Sequence, residues 1–168
     1  MNAKTGLNPT PFETLIVGLG NVLLGDEGVG VHIVRELEGG QLPIGVETLD
    51  GGTGGFHLLG PLCQAHRIVF IDATMDGRPE GTIQRIEPQF AEDYPNTLSA
   101  HDIGIKDMLD ALHLIGQRVP VVLITISIQL MSGLSVELSE PIAAAAQRVV
   151  EMVNAEFITS KAPLAVAP

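Results

Sequence analysis

The sequence of 168 residues contains a single cysteine, Cys63, and no tryptophan. One cysteine cannot form an internal disulfide, and no CxxC pair or Cys/His cluster indicates a zinc or iron-sulfur site, so a reducing, cytoplasmic compartment is expected. Aromatic residues make up only 4% of the chain, whereas 45% of the residues are hydrophobic. The core is therefore expected to consist of Val, Ile, Leu and Ala, which is typical of α/β proteins with buried parallel strands.

Basic side chains are also scarce, because 9 Lys and Arg residues stand against 20 Asp and Glu residues, for a formal net charge of −11. The average electrostatic field of such a negatively charged protein repels phosphate groups, so nucleic acid is not an expected partner. No long hydrophobic run is present either. Gly18, Gly20 and Asn21 interrupt the apolar stretch from Leu15 to Leu24, which predicts neither a signal peptide nor a membrane span.

The chain shows no internal repeat and no interdomain linker, so residues 1–168 are predicted to form a single domain. Residues 1–12 and 159–168 combine proline, small and polar residues without periodicity. We expect these two segments to be loosely ordered tails. The sequence does not reveal the oligomeric state, and a monomer is the working expectation.

Strand and helix patterns alternate between the tails. Short apolar runs predict strands that are covered on both faces at 15–17, 67–71 and 121–124, a weaker strand at 46–49 and an edge strand at 81–87. Helical spacing of apolar residues follows at 30–37, after Gly55, at 105–112 and at 142–152. This alternation predicts a three-layer α/β/α fold with a twisted, mainly parallel sheet of about five strands flanked by helices.

In such sheets, ligand sites form beyond the carboxyl ends of the strands. The first loop there begins with Gly18-Leu19-Gly20, which resembles the opening of a dinucleotide-binding turn. Asp26 and Glu27, however, place two negative charges where a phosphate would lie. The pair fits either N-capping of the following helix or a functional site.

The second loop contains Asp50, Gly51, Gly52 and Thr53. Its free backbone N–H groups are suited to holding a peptide carbonyl or carboxylate, and Asp50 is suited to orienting a substrate. A turn in which Asp50 or Thr53 caps the next helix explains the same residues equally well. We keep both interpretations, and the loop is a candidate substrate-binding segment.

Asp72 directly follows a predicted strand, and His101 lies near the predicted start of the third helix. Together with Glu27 they occupy ends of elements that a parallel sheet can bring to one rim. Two carboxylates and one imidazole form a mixed oxygen and nitrogen ligand set for a divalent ion, with positions left open for water or substrate. The sequence contains no GxSxG or HExxH motif, which argues against the common hydrolase chemistries.

The strings GLGNVLLGDEGVG, DGGTGG, FIDAT and SAHDIGI occur in this order. In order and spacing they resemble the maturation endopeptidases of nickel-iron hydrogenases. The resemblance implies removal of a C-terminal extension from the large-subunit precursor after nickel insertion. It also implies that Glu27, Asp72 and His101 contact the metal, which the precursor supplies, although other divalent ions can occupy such a site.

The segment from Ile126 to Ser135 is shorter and more apolar than in that family, which bears on precursor recognition. The segment from Pro88 to Ala100 is a candidate precursor-binding loop. Two alternatives remain open at this stage. One is a non-catalytic module that docks on the nickel-loaded precursor, and the other is a nucleotide- or tRNA-binding α/β protein.

Overall fold

The computed structural model describes residues 12–88, 105–129 and 133–159. The strands within them are β1 (Thr14–Leu19), β2 (Val46–Gly52), β3 (Ile68–Thr74), β4 (Ile83–Ile86) and β5 (Val121–Ser127). The helices are α1 (Val29–Glu38), α2 (Leu59–Leu62), α3 (Ile105–Leu114) and α4 (Glu140–Val153). Short 3-10 turns over Gly25–Gly28 and Phe56–Leu58 precede α1 and α2, and a π-helical turn over Asn154–Ile158 extends α4.

The five strands form one sheet in the order β2-β1-β3-β5-β4. β1, β2, β3 and β5 are parallel, and β4 pairs antiparallel with β5 at the edge. Every residue of β1 and β3 is buried, as expected for central strands that carry helices on both faces. The predicted α/β architecture with about five strands is confirmed.

The sheet separates two apolar cores. On one face, Val69, Ile71 and Ile124 pack against the apolar stripes of α1 and α4. On the other face, Phe70 and Leu123 pack against residues of α2 and α3. Because neighbouring residues of a strand point to opposite faces, β1, β2, β3 and β5 contribute to both cores. None of the helices within the described residues has the length and hydrophobicity needed to span a bilayer.

The strands β1, β2, β3 and β5 are all longer than predicted. β2 continues through Asp50 to Gly52, and β3 continues through Asp72 to Thr74. The extra residues of β2 pair with the end of β1, and those of β3 pair with the end of β5. Backbone pairing with a neighbour thus extends these strands past the point where the apolar pattern stops.

The predicted helices are found at 29–38, 59–62, 105–114 and 140–153. Ile105, Met108 and Leu112 are buried on one side of α3, as their spacing predicts. Most of the two segments that were predicted to be loose tails lie outside the described residues.

Candidate active site at the carboxyl edge of the sheet

Glu27 lies in the 3-10 turn between β1 and α1, and glycines without side chains allow this turn to close on the sheet. Gly20 has a φ of +133°, a conformation that favours glycine, and a Cβ there would collide with the carbonyl oxygen of Glu27. A Cβ on Gly30 would collide with the carbonyl oxygens of Leu19 and Ile71. The start of α1 therefore rests directly on the ends of β1 and β3, and Glu27 is brought beside the third strand.

Asp72 lies near the carboxyl end of β3 and is only 1% exposed. Its Oδ1 accepts a hydrogen bond from the backbone N–H of Ala73 at 2.8 Å. Its Oδ2 is buried and has no hydrogen-bond partner in the described part of the chain. A buried oxygen of this kind is costly to leave unpaired, so Asp72 retains one free coordination or proton position.

The electrostatic environment of Asp72 raises its pKa from 3.8 to about 7. The largest cause is burial, which disfavours the charged carboxylate; the hydrogen bond from Ala73 opposes the shift, and the negative charge of Glu27 adds to it. The turn that carries Glu27 packs on the ends of β1 and β3, and the charge of Glu27 acts on the Asp72 carboxyl group. Two acids in such a position favour a bound cation or a shared proton.

Glu27 and Asp72 are thus the two predicted site residues that the structure brings together, while His101 lies outside the described residues. Within 12–88, 105–129 and 133–159, no three or more His, Cys, Asp or Glu side chains are grouped closely enough to hold a metal ion. The two acids suit part of a cation site, since carboxylate oxygens are metal ligands and one of them is uncommitted. The metal assignment as a whole stays a prediction.

Asp50 is committed to a different set of partners. Its Oδ2 pairs with the guanidinium of Arg35 at 2.8 Å, and its Oδ1 accepts a hydrogen bond from the N–H of Gly52 at 3.0 Å. Asp50 therefore fixes the end of β2 against α1. The suggestion that Asp50 or Thr53 caps the next helix is wrong, because the 3-10 turn at Phe56–Leu58 has no side-chain cap. A substrate-binding role of residues 50–53 stays a prediction.

The suggestion that Asp26 or Glu27 caps the helix that follows is also wrong. The N-cap residues of the 3-10 turn at Gly25–Gly28 and of α1 are Leu24 and Gly28, so neither acid occupies the capping position. Asp26 instead accepts a hydrogen bond from the N–H of Ser139, at the start of α4. The sequence distance between the two residues explains why the local pattern did not indicate this contact.

The comparison with known families decides what kind of protein carries this acid pair. Residues 31–156 match the family model described as hydrogenase maturation protease, HycI. The match covers three quarters of the chain and includes Asp72 and His101. The chain belongs to the hydrogenase maturation protease family.

Individual members of this family align with the chain as well. Hydrogenase 2 maturation protease of Escherichia coli (strain K12) is 37% identical over 63% of this chain and 66% of its own length. A protein of Methanocaldococcus jannaschii whose name assigns it to the same proteases is 32% identical over 86% of this chain and 96% of its own length. The solved structure of hydrogenase maturating endopeptidase HybD from E. coli superposes with a TM-score of 0.76 at 32% identity, over 86% of this chain and 91% of that one.

These matches place the chain among proteases, which disfavours the nucleotide- or tRNA-binding alternative. The first alignment stops just short of two thirds of the E. coli protease's own length. The structural superposition extends over more of the relative than the sequence alignment does, because this chain covers 91% of HybD. Similarity to a hydrogenase maturation protease is therefore a property of nearly the whole described fold.

Sequence analysis missed two buried hydroxyl residues beside Asp72. Thr125 is the register partner of Asp72 on β5, and Ser127 is two residues further along the same face. Their Oγ atoms are buried without a hydrogen-bond partner in the described part of the chain. The signal was present in the alternation of Thr125, Ile126 and Ser127, which marks a polar face at the end of a strand that is otherwise apolar.

Proposed function

We propose that this chain is an endopeptidase that removes a C-terminal extension from the precursor of a nickel-iron hydrogenase large subunit after nickel insertion. The observation that carries this proposal is the pair of Glu27 and Asp72 at the carboxyl edge of the sheet, in a chain of the hydrogenase maturation protease family. The acid pair supplies a candidate site for a cation. Family membership supplies the class of reaction and the class of substrate.

In this proposal nickel is part of the substrate, because it arrives already held by the precursor. Glu27 and Asp72 contact it through carboxylate oxygens, and His101 contributes an imidazole nitrogen, a ligand type that suits nickel. The uncommitted Oδ2 of Asp72 supports this assignment, since that atom is available for a bond. Contact with nickel would make cleavage conditional on successful metal insertion.

The chain's own residues then act mainly by positioning. Holding the metal-bearing end of the precursor fixes the scissile peptide bond near the edge of the sheet, which lowers the entropic part of the barrier to attack by water. When bound, the metal supplies a template and a Lewis acid. Water adds to the carbonyl carbon, the C–N bond breaks, and the leaving nitrogen takes up a proton. We place this reaction in the cytoplasm, which the single cysteine at position 63 favours.

The test uses the large-subunit precursor encoded nearest to the gene for this chain. Nickel-loaded and nickel-free forms are purified, incubated with the protein and analysed by intact-mass spectrometry. We expect a loss of mass equal to a C-terminal peptide, only in the nickel-loaded sample. A large subunit that already ends at the mature terminus serves as the control and is expected to keep its mass.

Two outcomes would contradict the proposal in different ways. Binding of the nickel-loaded precursor without any change of mass would indicate the docking module instead of an endopeptidase. Equal cleavage of both forms would retain the peptidase but remove nickel as the recognised group.

A further inference from the structure

Asp26 is almost fully buried, and its carboxylate contacts a distant part of the chain. Its exposed fraction is 1%, and Oδ1 accepts a hydrogen bond of 2.7 Å from the backbone N–H of Ser139, 113 residues away. Ser139 is the residue that precedes the first turn of α4, and its own side chain makes no capping bond. The contact ties the loop after β1 to the start of the last helix.

The identity of the helix residues explains why the bond comes from another segment. In a capping box, a Glu or Gln three residues into the helix accepts the N–H of the capping residue. That position in α4 is Ile142, which has no acceptor, so the carboxylate of Asp26 takes its place. The positive end of the α4 dipole also favours a negative charge at this point.

Two backbone hydrogen bonds reinforce the same junction. The N–H of Gly25 donates to the carbonyl oxygen of Ser135 at 2.6 Å, and the N–H of Ser135 donates to the carbonyl oxygen of Leu23 at 3.1 Å. The turn that carries Glu27 is therefore held from the α4 side as well as from the sheet. Asp26 provides the side-chain bond of this junction.

The geometry of the turn connects Asp26 with its neighbour. Successive side chains of a 3-10 turn point about 120° apart, because the turn has about three residues per revolution. With Asp26 directed to α4, Glu27 projects elsewhere, and its charge reaches Asp72 on β3. The attachment of Asp26 therefore helps to hold the turn from which the Glu27 side chain projects.

We propose that Asp26 is a positioning residue that orients Glu27 toward the nickel-bearing precursor by anchoring the turn to the start of α4. This inference rests on the proposed function, in which Glu27 contacts the substrate. In this inference Asp26 acts through Glu27, because its Oδ1 is bonded to Ser139 at the start of α4 and its side chain is buried. The buried oxygen Oδ2 of Asp26 has no hydrogen-bond partner in the described residues. Burying it unpaired lowers the stability of the folded state.

The test compares kcat and KM for cleavage of the nickel-loaded precursor by variants on both sides of this hydrogen bond. Asp26→Ala removes the acceptor, and kcat is expected to fall by about 10- to 100-fold because the reacting groups are misplaced. Asp26→Asn keeps an acceptor oxygen and is expected to restore most of the lost kcat. All assays are run well below the melting temperature of the least stable variant.

A matched pair of variants tests the donor. Ser139 has a φ of −63°, which is the value that proline requires, so Ser139→Pro deletes the N–H with little demand on the backbone at that residue. We expect Ser139→Pro to lower kcat as Asp26→Ala does. Ser139→Ala keeps the N–H and removes only a hydroxyl that has no partner in the described residues, so it is expected to keep the wild-type kcat.

A double-mutant cycle on precursor binding separates positioning from general destabilisation. If Asp26 acts through Glu27, Asp26→Ala should weaken binding in the wild-type background and have no further effect in a Glu27→Ala background. Equal effects in both backgrounds would overturn the inference, as would a wild-type kcat for Asp26→Ala. A wild-type result for Glu27→Ala itself would instead contradict the proposed function.

Discussion

The stability of the protein should depend on pH through Asp72 in a direction opposite to that of most acids. The unfolded chain ionises this carboxyl near 3.8, whereas the folded protein holds the proton until the pH reaches about 7. Between these values the folded state binds more protons, so the free energy of unfolding falls as pH rises. A difference of about 3 pKa units corresponds to roughly 4 kcal/mol, lost gradually across this window and fully lost above it.

This prediction is measured by urea unfolding of the wild type and Asp72→Asn between pH 4.5 and 8.5, with a chelator present. The free energy of unfolding is plotted against pH for each protein, and the difference between the two plots removes the contribution of the other titrating groups. Any penalty of the buried amide in Asp72→Asn is independent of pH. We expect the free energy of unfolding of Asp72→Asn to increase by several kcal/mol relative to that of the wild type as pH rises. A difference that stays constant within about 0.5 kcal/mol would refute the assigned burial of the carboxyl group.

Thr125→Val should raise the free energy of unfolding by about 1 kcal/mol, because the hydroxyl is buried without a partner in the described residues. A lower free energy of unfolding than that of the wild type, measured by urea unfolding, would contradict this. Gly30→Ala should cost about 3 kcal/mol or more, since its methyl group meets two backbone carbonyl oxygens. Gly60→Ala is the control, because its methyl group meets no atom within 4 Å outside the two chain neighbours. It should cost much less than Gly30→Ala by thermal melting, and its only expected cost is the strain of a helical residue before Pro61. Arg35→Ala should change stability by less than about 1 kcal/mol, because its ion pair with Asp50 is largely exposed.

The sequence was sufficient to predict the sheet and the position of two acids at its edge. Apolar runs without polar alternation indicated β1, β3 and β5, and the rule on carboxyl ends of parallel strands selected Glu27 and Asp72. Both lie where that rule places them, because residues just beyond the apolar part of adjacent parallel strands must meet at one edge. The contribution of His101 falls outside the described residues and stays a prediction.

The contacts that hold the site depend on distant parts of the chain, and local patterns do not indicate them. An Asp near the start of a helix is a common capping residue, yet Asp26 contacts Ser139. Asp50 looked like a loop residue, yet it lies in β2 and pairs with Arg35. In both cases tertiary packing supplied a partner that the local pattern does not indicate, because the packed layers bring together segments that are remote in sequence.

The central claim is that Glu27, Asp72 and His101 act as one unit on the nickel-loaded precursor. Its most direct test is the rate of precursor cleavage by Glu27→Gln, Asp72→Asn and His101→Ala, with the exposed residues changed in Glu47→Gln and His113→Ala as controls. We predict that each of the first three lowers kcat/KM by about 100-fold or more, with little further loss when two are combined. Cleavage at the wild-type rate by all three variants, with intact folds by circular dichroism, would contradict the claim.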